Sequence, residues 1–392
     1  MNICKHFGAC GGCSYLDIPY PQELAQKEAA IRETLGPHGH LLECIIPTPN
    51  QQGYRNKMEF AFGDEGKDGG LALGIRKRRS FYEVASIEAC ELIPEDFRKI
   101  ALHVQNYFRQ SGEIFFHRKR HTGNLRHLVL RRGEFTGEVL VCLSTTSKLE
   151  AELAPLITGL QELTLEGEIV GILHSINDGV ADVVKDDNIH ILYGQDHFRE
   201  RICGLDFMVS AFSFFQTNSA GAEVLYGVVK DMAMQAADPS LAYDLYCGTG
   251  TIAQVLSPGF RKVIGIELNP SAIKAAQENA RLNDITNCEF FAGDVLAVLE
   301  SGSAENASSG TQAATPDVVV VDPPRNGLHP KALAKLITLS PPNLVYVACK
   351  PESLARDMAT LIQAGYKPIR AVGVDMFPRT PHVEAVMLLR RT

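Results

Sequence analysis

LAYDLYCGTGT, residues Leu241 to Thr251, decides how this chain folds. Its first half is a short apolar run of the kind that forms a buried strand, and it passes directly into a turn carrying Gly248 and Gly250. The segments on either side keep the same rhythm. Upstream, Ala220 to Ala237 is an amphipathic helix. Downstream, IAQVLSP reads as helix, KVIGIEL as strand, and PSAIKAAQENARLN as a helix with proline in its first turn. CEFFAGD, DVVVVDPP, a helix over Pro330 to Leu339, NLVYVAC, a helix over Leu354 to Ala364, IRAVGVDMF and EAVMLLRR complete the series. Strands alternating with crossover helices predict an α/β fold, a mostly parallel, doubly wound Rossmann-like sheet.

The first half reads differently. KMEFAFG, LALGIRKR, SFYEVAS, HLVLRRG, GEVLVCLST, EIVGILHSIN and IHILYGQ are short, rich in Val, Ile, Leu and Phe, and bounded by Gly, Asp and Asn. With one helix over Glu95 to Gln110, this predicts a strand-rich α+β region whose antiparallel sheet presents a face to a partner. The expected division is 1–95, a cysteine-bearing loop and the start of the strand-rich domain; 96–205, its remainder; and 206–392, the doubly wound domain. ESGSAENASSGTQAATP, Glu300 to Pro316, is small and polar with no apolar period, and reads as a mobile surface loop.

A chain of 392 residues exceeds one ordinary core, and 45% hydrophobic residues is a globular composition. No apolar run reaches the roughly 18 residues of a membrane span, and MNICKHFGACGG lacks the apolar core of a secretion signal, so a cytoplasmic location is expected. In that compartment ten cysteines point to metal or chemistry rather than disulfides. The formal charge of −8 excludes a globally basic nucleic-acid binder. Basic runs nevertheless stand in the first half, GIRKRRSF (Gly74 to Phe81) and HRKRHTGNLRHLVLRR (His117 to Arg132), and a local basic surface can hold phosphates on an acidic protein.

In a doubly wound sheet, ligands bind outside the carboxyl ends of the strands. Four such ends carry polar residues: Asp244 to Thr251, Glu267, Asp294 and Asp322. Glu267 follows the glycine turn by roughly the 20 residues at which a carboxylate accepts from both ribose hydroxyls. Asp294 is suited to an adenine donor, and Tyr246 to lying against the ligand. The turn lacks the third glycine of a dinucleotide fingerprint and no P-loop lysine follows it, which favours S-adenosylmethionine, a ligand without phosphate.

VDPPRNGL and YVACKPESLARD place Asp322 and Cys349 at two adjacent strand ends facing one pocket. Two prolines after Asp322 rigidify its turn. This pairing suits carbon methylation of a pyrimidine. C5 of uracil is a poor nucleophile until a thiolate adds at C6, and a base must then remove the C5 proton. Glu384, in DMFPRTPHVEAV, is a candidate for that base. A free thiol with pKa near 8.5 is mostly neutral, so the site needs something to lower it; Lys350 is adjacent in sequence, although neighbouring side chains on a strand face opposite ways.

Cys4, Cys10 and Cys13 form a C-x5-C-G-G-C pattern, with Cys90 in ACELI a candidate fourth ligand. On spacing alone, zinc and iron–sulfur are both open. Cys44, Cys142, Cys203 and Cys288 read as small buried residues, and Cys247 as packing within the glycine turn.

FFQTN, DLYCGTGT, GIELNPSAI, DPPRNGL, CKPESLARD and DMFPRTPHVE occur in the order found in the RNA uracil-5-methyltransferase family, which the chain resembles over nearly its whole length. That family makes 5-methyluridine in transfer and ribosomal RNA. The resemblance implies Cys349 as nucleophile and Glu384 as proton acceptor, with Gln216, Tyr246, Thr251, Glu267 and Asp322 lining the methyl donor and uracil, and Asp294 following the same pattern. It also implies a [4Fe-4S] cluster on Cys4, Cys10, Cys13 and Cys90. Because the chain starts almost at the cluster motif, it is similar to the shorter branch without an N-terminal TRAM barrel, which acts on 23S ribosomal RNA; transfer RNA is the alternative. No membrane and no obligate protein partner is implied. The flanking nucleotides are expected on the strand-rich half, on its basic runs and on Phe60, Phe62 and Tyr82. One departure stands out, Ala348-Cys349-Lys350-Pro351 where the family commonly has Ser-Cys-Asn-Pro.

Two other functions fit parts of the pattern. Asp-Pro-Pro also occurs in nitrogen methylation, which needs neither Cys349 nor Glu384. A non-catalytic RNA-binding or folding factor needs no nucleophile, and one is present.

Overall fold

The computed structural model describes residues 4–66, 69–180, 188–236, 240–295 and 315–392. Most of the expected Glu300–Pro316 loop lies outside them.

The expected doubly wound sheet is present, with eight strands: β1 (Leu42–Pro47), β11 (Leu241–Leu245), β12 (Lys262–Glu267), β13 (Cys288–Ala292), β14 (Val318–Val321), β15 (Asn343–Ala348), β16 (Tyr366–Asp375) and β17 (Glu384–Arg391). Their order is β1-β16-β17-β15-β14-β11-β12-β13. β11 pairs in parallel with both β12 and β14, so the strand order reverses there, which is where such sheets bind ligands. β17 alone runs antiparallel, between β15 and β16.

The sheet is buried on both faces, which is why its strands are continuous apolar runs. Along β14, Val318 and Val320 join one core while Val319 and Val321 join the other, the period of two that a strand imposes. The first core includes Leu225, Val229 and Met232 of the helix Ser219–Ala233 and Ala276 and Ala280 of the helix Pro270–Leu282. The second takes Leu333 and Leu336 of Pro330–Leu339, Leu354 and Leu361 of Pro351–Gln363, and Ile31 and Leu35 of Tyr20–Leu35. The segment holding Tyr20–Leu35 and β1 precedes the strand-rich region in sequence yet belongs to this sheet, with β1 parallel to β16 (Ile46↔Val374).

The strand-rich half is a seven-stranded sheet of β2 (Lys57–Asp64), β3 (Leu71–Arg76), β4 (Val84–Ala85), β5 (Leu125–Arg132), β6 (Glu138–Thr145), β7 (Glu168–Ile176) and β8 (Ile189–Gly194), in the order β4-β3-β2-β5-β6-β7-β8. The helix Glu95–Ser111 packs against it. The expectation of a purely antiparallel sheet is corrected at one place: β6 and β7 are parallel. A parallel pair needs a crossover, and the helix Ala154–Gln161 supplies it. A hairpin, β9 (His197–Ile202) and β10 (Leu205–Ser210), leads from this sheet towards the second.

Part of the expected RNA-facing surface is interior. Phe60 and Phe62 are core residues, because β2 is buried on both faces from Phe60 to Gly63, and Phe62 meets Phe108 edge-on at 5.7 Å. Arg126 and Arg131 of the second basic run are 1% exposed. Arg126 donates to the carbonyls of Asn177 and Gly179, both at 2.6 Å, and lies over the Phe116 ring at 4.2 Å. Arg131 donates to the carbonyls of Ser210 at 2.9 Å and Ser213 at 2.7 Å, pinning the chain beyond β10. Arg78, Arg79, Phe81, Arg118, Lys119 and Arg120 do face solvent, and Tyr82 stacks on His117 at 4.2 Å.

Candidate active site

The turn after β11 is held open by its backbone. Tyr246, Gly248 and Gly250 take φ of 66°, 53° and 76°, the left-handed region that glycine enters freely and tyrosine does not. A Cβ on Gly250 would fall 2.6 Å from the Phe290 ring and 2.9 Å from Ala276, so this position also needs glycine for packing. Glu267, at the end of β12, accepts the Gly248 amide at 3.2 Å and the Asn269 amide at 3.0 Å. Thr251 is buried at the first turn of the helix Thr251–Leu256. Cys247 is buried in the turn, as expected for packing.

Of two further residues at this turn, Asp244 opens the strand-end stretch expected to face the ligand, while Phe214 carried no clear sequence signal. Asp244 is fully buried; its Oδ2 accepts the Ala253 amide at 2.9 Å while Oδ1 has no partner. Burial pushes its carboxyl up to about 8, opposed by the Ala253 hydrogen bond and reinforced by Asp322 and Glu267. Phe214, 71% exposed, lies over the turn 3.9 Å from where a Gly248 Cβ would stand. Burial pushes the Tyr226 hydroxyl up, Asp322 and Asp244 reinforce the shift, and the Gln216 side chain opposes it. Tyr246 and Asp294 line one cleft of about 840 Å³ with Pro324, Asn326 and Asp357. An open glycine turn, a carboxylate at the next strand end and an orphaned buried oxygen fit a ribose-bearing methyl donor.

Cys349, Glu384 and Asp322 come together. Cys349 is half-buried just beyond β15; burial pushes its thiol up, Glu384 and Asp322 push it further, and Arg325 opposes them. Burial, and then Asp322, push Glu384 up to about 8, again against Arg325. Burial pushes Asp322 up to about 7. Arg325 of the Asp322 loop is the cation that opposes the upward shift of the thiol. Lys350, considered for its adjacency, is not among the groups that shift Cys349, although it lines the same cleft. Cys349 opens on a cleft of about 550 Å³ lined also by Arg325, Lys350, His382 and, from the N-terminal helix, Gln26 and Thr34.

The motif ending LARD explains how the Asp322 loop is held. Asp357 Oδ2 accepts the Leu328 amide at 2.8 Å and the Tyr346 hydroxyl at 2.7 Å, while Arg356 donates to the Asn326 carbonyl at 2.7 Å. Gly327, at φ 72°, leaves no space for a Cβ, which would stand 2.6 Å from Asp357. Lys350 occupies the N-cap of the helix Pro351–Gln363 with no side-chain cap.

At the other end of the chain, Cys4, Cys10, Cys13 and Cys90 line one small pocket of about 30 Å³ with Gly12, Ile75 and Leu92. The Gly12 amide donates to Cys10 Sγ at 3.3 Å. Among the described residues no three of His, Cys, Asp and Glu stand in closed metal-binding geometry, so the four thiols share a pocket without already converging on one point. Four thiols in an apolar pocket are a donor set that suits iron–sulfur or zinc. Of the other cysteines, Cys142 is buried as expected, but Cys44 and Cys203 are exposed and Cys288 half-buried.

Residues 187–392 match the family model for tRNA (uracil-5-)-methyltransferase. The chain belongs to that family. It is 44% identical over 391 residues to an uncharacterized RNA methyltransferase of Clostridium tetani, covering 99% of this chain and 83% of that protein. A second uncharacterized RNA methyltransferase, from Clostridium acetobutylicum, is 42% identical with the same coverage. Among solved structures, the Pyrococcus abyssi tRNA (uracil-54, C5)-methyltransferase in complex with S-adenosyl-L-homocysteine superposes with a TM-score of 0.79. It is 31% identical, over 97% of this chain and 84% of that one. As a member of the uracil-5-methyltransferase family, this protein is an RNA methyltransferase. Among the described residues no helix is long and apolar enough to cross a membrane.

Proposed function

We propose that this enzyme transfers a methyl group from S-adenosylmethionine to C5 of a uridine in RNA. The observation that carries the reading is that Cys349 and Arg325 open on one cleft with the carboxyls of Glu384 and Asp322 buried close enough to act on the thiol. Glu267, Tyr246, Thr251, Asp294 and Gln216 are assigned to the donor pocket around the glycine turn. The donor, when bound, supplies its methyl as an electrophilic sulfonium substituent.

The target base leaves its stack to enter the Cys349 cleft. Arg325 favours the thiolate, which adds to C6 of uracil; the ring becomes an enolate whose C5 takes the methyl. Glu384 then accepts the C5 proton, the C5–C6 double bond re-forms and the C6–S bond breaks, returning the thiolate. Asp322 faces the base from the adjacent strand end. Exposed Arg78, Arg79, Arg118, Lys119 and Arg120, with Phe81 and the Tyr82–His117 stack, are the surface assigned to flanking RNA.

RNA carrying 5-fluorouridine tests the reading. Fluorine cannot leave as a proton, so the wild type should form a stable adduct that Cys349→Ala abolishes; a well-folded wild type that forms none sinks it. Two RNAs fit, ribosomal RNA from the motif resemblance and transfer RNA from the name of the Pyrococcus relative. Mapping 5-methyluridine in both from cells lacking the protein separates them.

We further propose that Cys4, Cys10, Cys13 and Cys90 hold a [4Fe-4S] cluster with a structural role. Iron and sulfide should be found after anaerobic purification, whereas stoichiometric zinc without iron refutes the assignment.

A further inference from the structure

Glu384 begins β17 and pairs with Val374, and Ala385 pairs with Ala348 beside Cys349; Asp375 follows Val374 at the end of β16, so the loop 376–383 closes this strand pair next to Glu384. The loop's anchors come from remote parts of the sequence. Asn218 Nδ2 donates to the Met376 carbonyl at 2.8 Å, the Tyr54 hydroxyl to the Pro378 carbonyl at 2.9 Å, and the Ser14 amide to the Arg379 carbonyl at 2.7 Å. The Arg379 amide in turn donates to Glu23 Oε1 at 2.7 Å.

Lys27 stands at the centre of these contacts, 3% exposed. Its Nζ lies 2.7 Å from Glu23 Oε1, 2.7 Å from Asp375 Oδ1 and 3.3 Å from the Phe377 carbonyl, so each of its three donors meets an acceptor. The Tyr20 hydroxyl completes the group on Asp375 Oδ2 at 2.9 Å. Both carboxylates are fully buried beside it. Apolar side chains of similar volume would join this helix to the sheet without desolvating three charges, so stability alone does not call for the arrangement. Its directional bonds do something packing cannot: they fix one lysine to both ends of the loop's first turn. The same lysine lines the Cys349 cleft, whose opposite wall is its own helix.

We propose that Lys27 is a positioning residue for methylation: by clamping Asp375 and Phe377 to the helix Tyr20–Leu35, it holds Glu384 where the C5 proton is removed. The proposal rests on the roles assigned above to Cys349 and Glu384. With Lys27 gone, adduct formation and methyl transfer proceed, but proton transfer to Glu384 and cleavage of the C6–S bond lag.

The test uses the full chain with uridine RNA and S-adenosylmethionine. Lys27→Met should leave the RNA KM within about twofold and lower kcat about 10²-fold, the scale of a misplacement of about 1 Å. The denaturation-resistant methylated Cys349–RNA complex should accumulate, whereas folding damage alone lowers all steps together. Because Lys27→Met takes the lysine from two buried carboxylates, leaving Glu23 to Arg379 and Asp375 to the Tyr20 hydroxyl, E23Q/K27M/D375N, which removes the three charges at once, is measured in parallel. A folded variant of either kind that releases product at the wild-type rate, or loses adduct and turnover in equal proportion, overturns the proposal. So does failure of both to fold combined with a fully active Lys27→Arg; slowed release by Lys27→Arg supports it. Absence of the fluorouridine adduct in wild type would instead count against the site reading itself.

Discussion

The thiol of Cys349 and the thiols of the N-terminal pocket are the same chemical group in opposite company. Around Cys349 stand two carboxylates and one arginine, all from strand ends. Cys13 is pushed up to about 12 by burial and then by Cys90, Cys10 and Cys4, with only Arg55 opposing. A single thiol with a cation and a proton acceptor beside it is equipped to add to a carbon and leave again. Thiols whose main electrostatic neighbours are one another become compatible as thiolates when a metal cation stands between them. Neighbours, more than residue type, separate reagent from ligand.

The largest effect expected on the Cys349 side comes from Glu384→Gln. Turnover should fall by about 10²–10⁴-fold, with methylated covalent complex accumulating; rapid normal turnover would remove the base from that site. On the other side, Cys13→Ser should release the iron and lower the melting temperature by roughly 10 °C, the loss of a metal-coupled fold. If iron stays bound and melting is unchanged, the pocket is not the ligand set.

The pH dependence sharpens the contrast further. On the proposed roles, Cys349 and Glu384 both act in deprotonated form and both are shifted up, Glu384 to about 8 and the thiol above its ordinary value, so turnover should rise with pH across the neutral range and go on rising past 8. Stability runs the other way. Asp244, at about 8 in the fold and near 4 unfolded, favours the folded state fully below pH 4, and that contribution is lost as pH rises to 8. Asp244→Asn should therefore flatten the decline in melting temperature between pH 5 and 8, by several degrees at the upper end; a parallel decline in wild type and variant would show that Asp244 titrates normally.

The smallest effect belongs to Lys350. It caps its helix with no side-chain bond, so Lys350→Asn should add about 1 kcal/mol, or about 2–4 °C in melting temperature. Turnover should change by less than about threefold, since Arg325 rather than Lys350 acts on the thiol; a large loss would return Lys350 to the site.

What could be read in advance had local causes. LAYDLYCGTGT, the Glu267 spacing and the two strand ends at Asp322 and Cys349 announce themselves because turns and buried strands are written in short stretches. What escaped depends on distant partners. The pairing of β1 with β16 joins segments more than three hundred residues apart, and neither carries a mark of the other. Arg126 and Arg131 read as surface charge because a run of basic residues does not say which carbonyls await it. Phe60 and Phe62 were interior because both faces of β2 are covered there. Arg325 follows DPP directly, in plain view.

The parallel pairing of Ile46 with Val374 carries a consequence for biosynthesis. On the ribosome, the helix Tyr20–Leu35 and β1 emerge more than three hundred residues before β16 and β17. Through that interval the earlier segment lacks its partner, its apolar Ile31, Leu35 and Leu42 exposed to solvent or to chaperones. Closing so long a loop is entropically slow, so the sheet is completed only after β16 and β17 have emerged. A fragment beginning at residue 206 would reach that point with β16 as an uncovered edge, and such an edge is a template for aggregation.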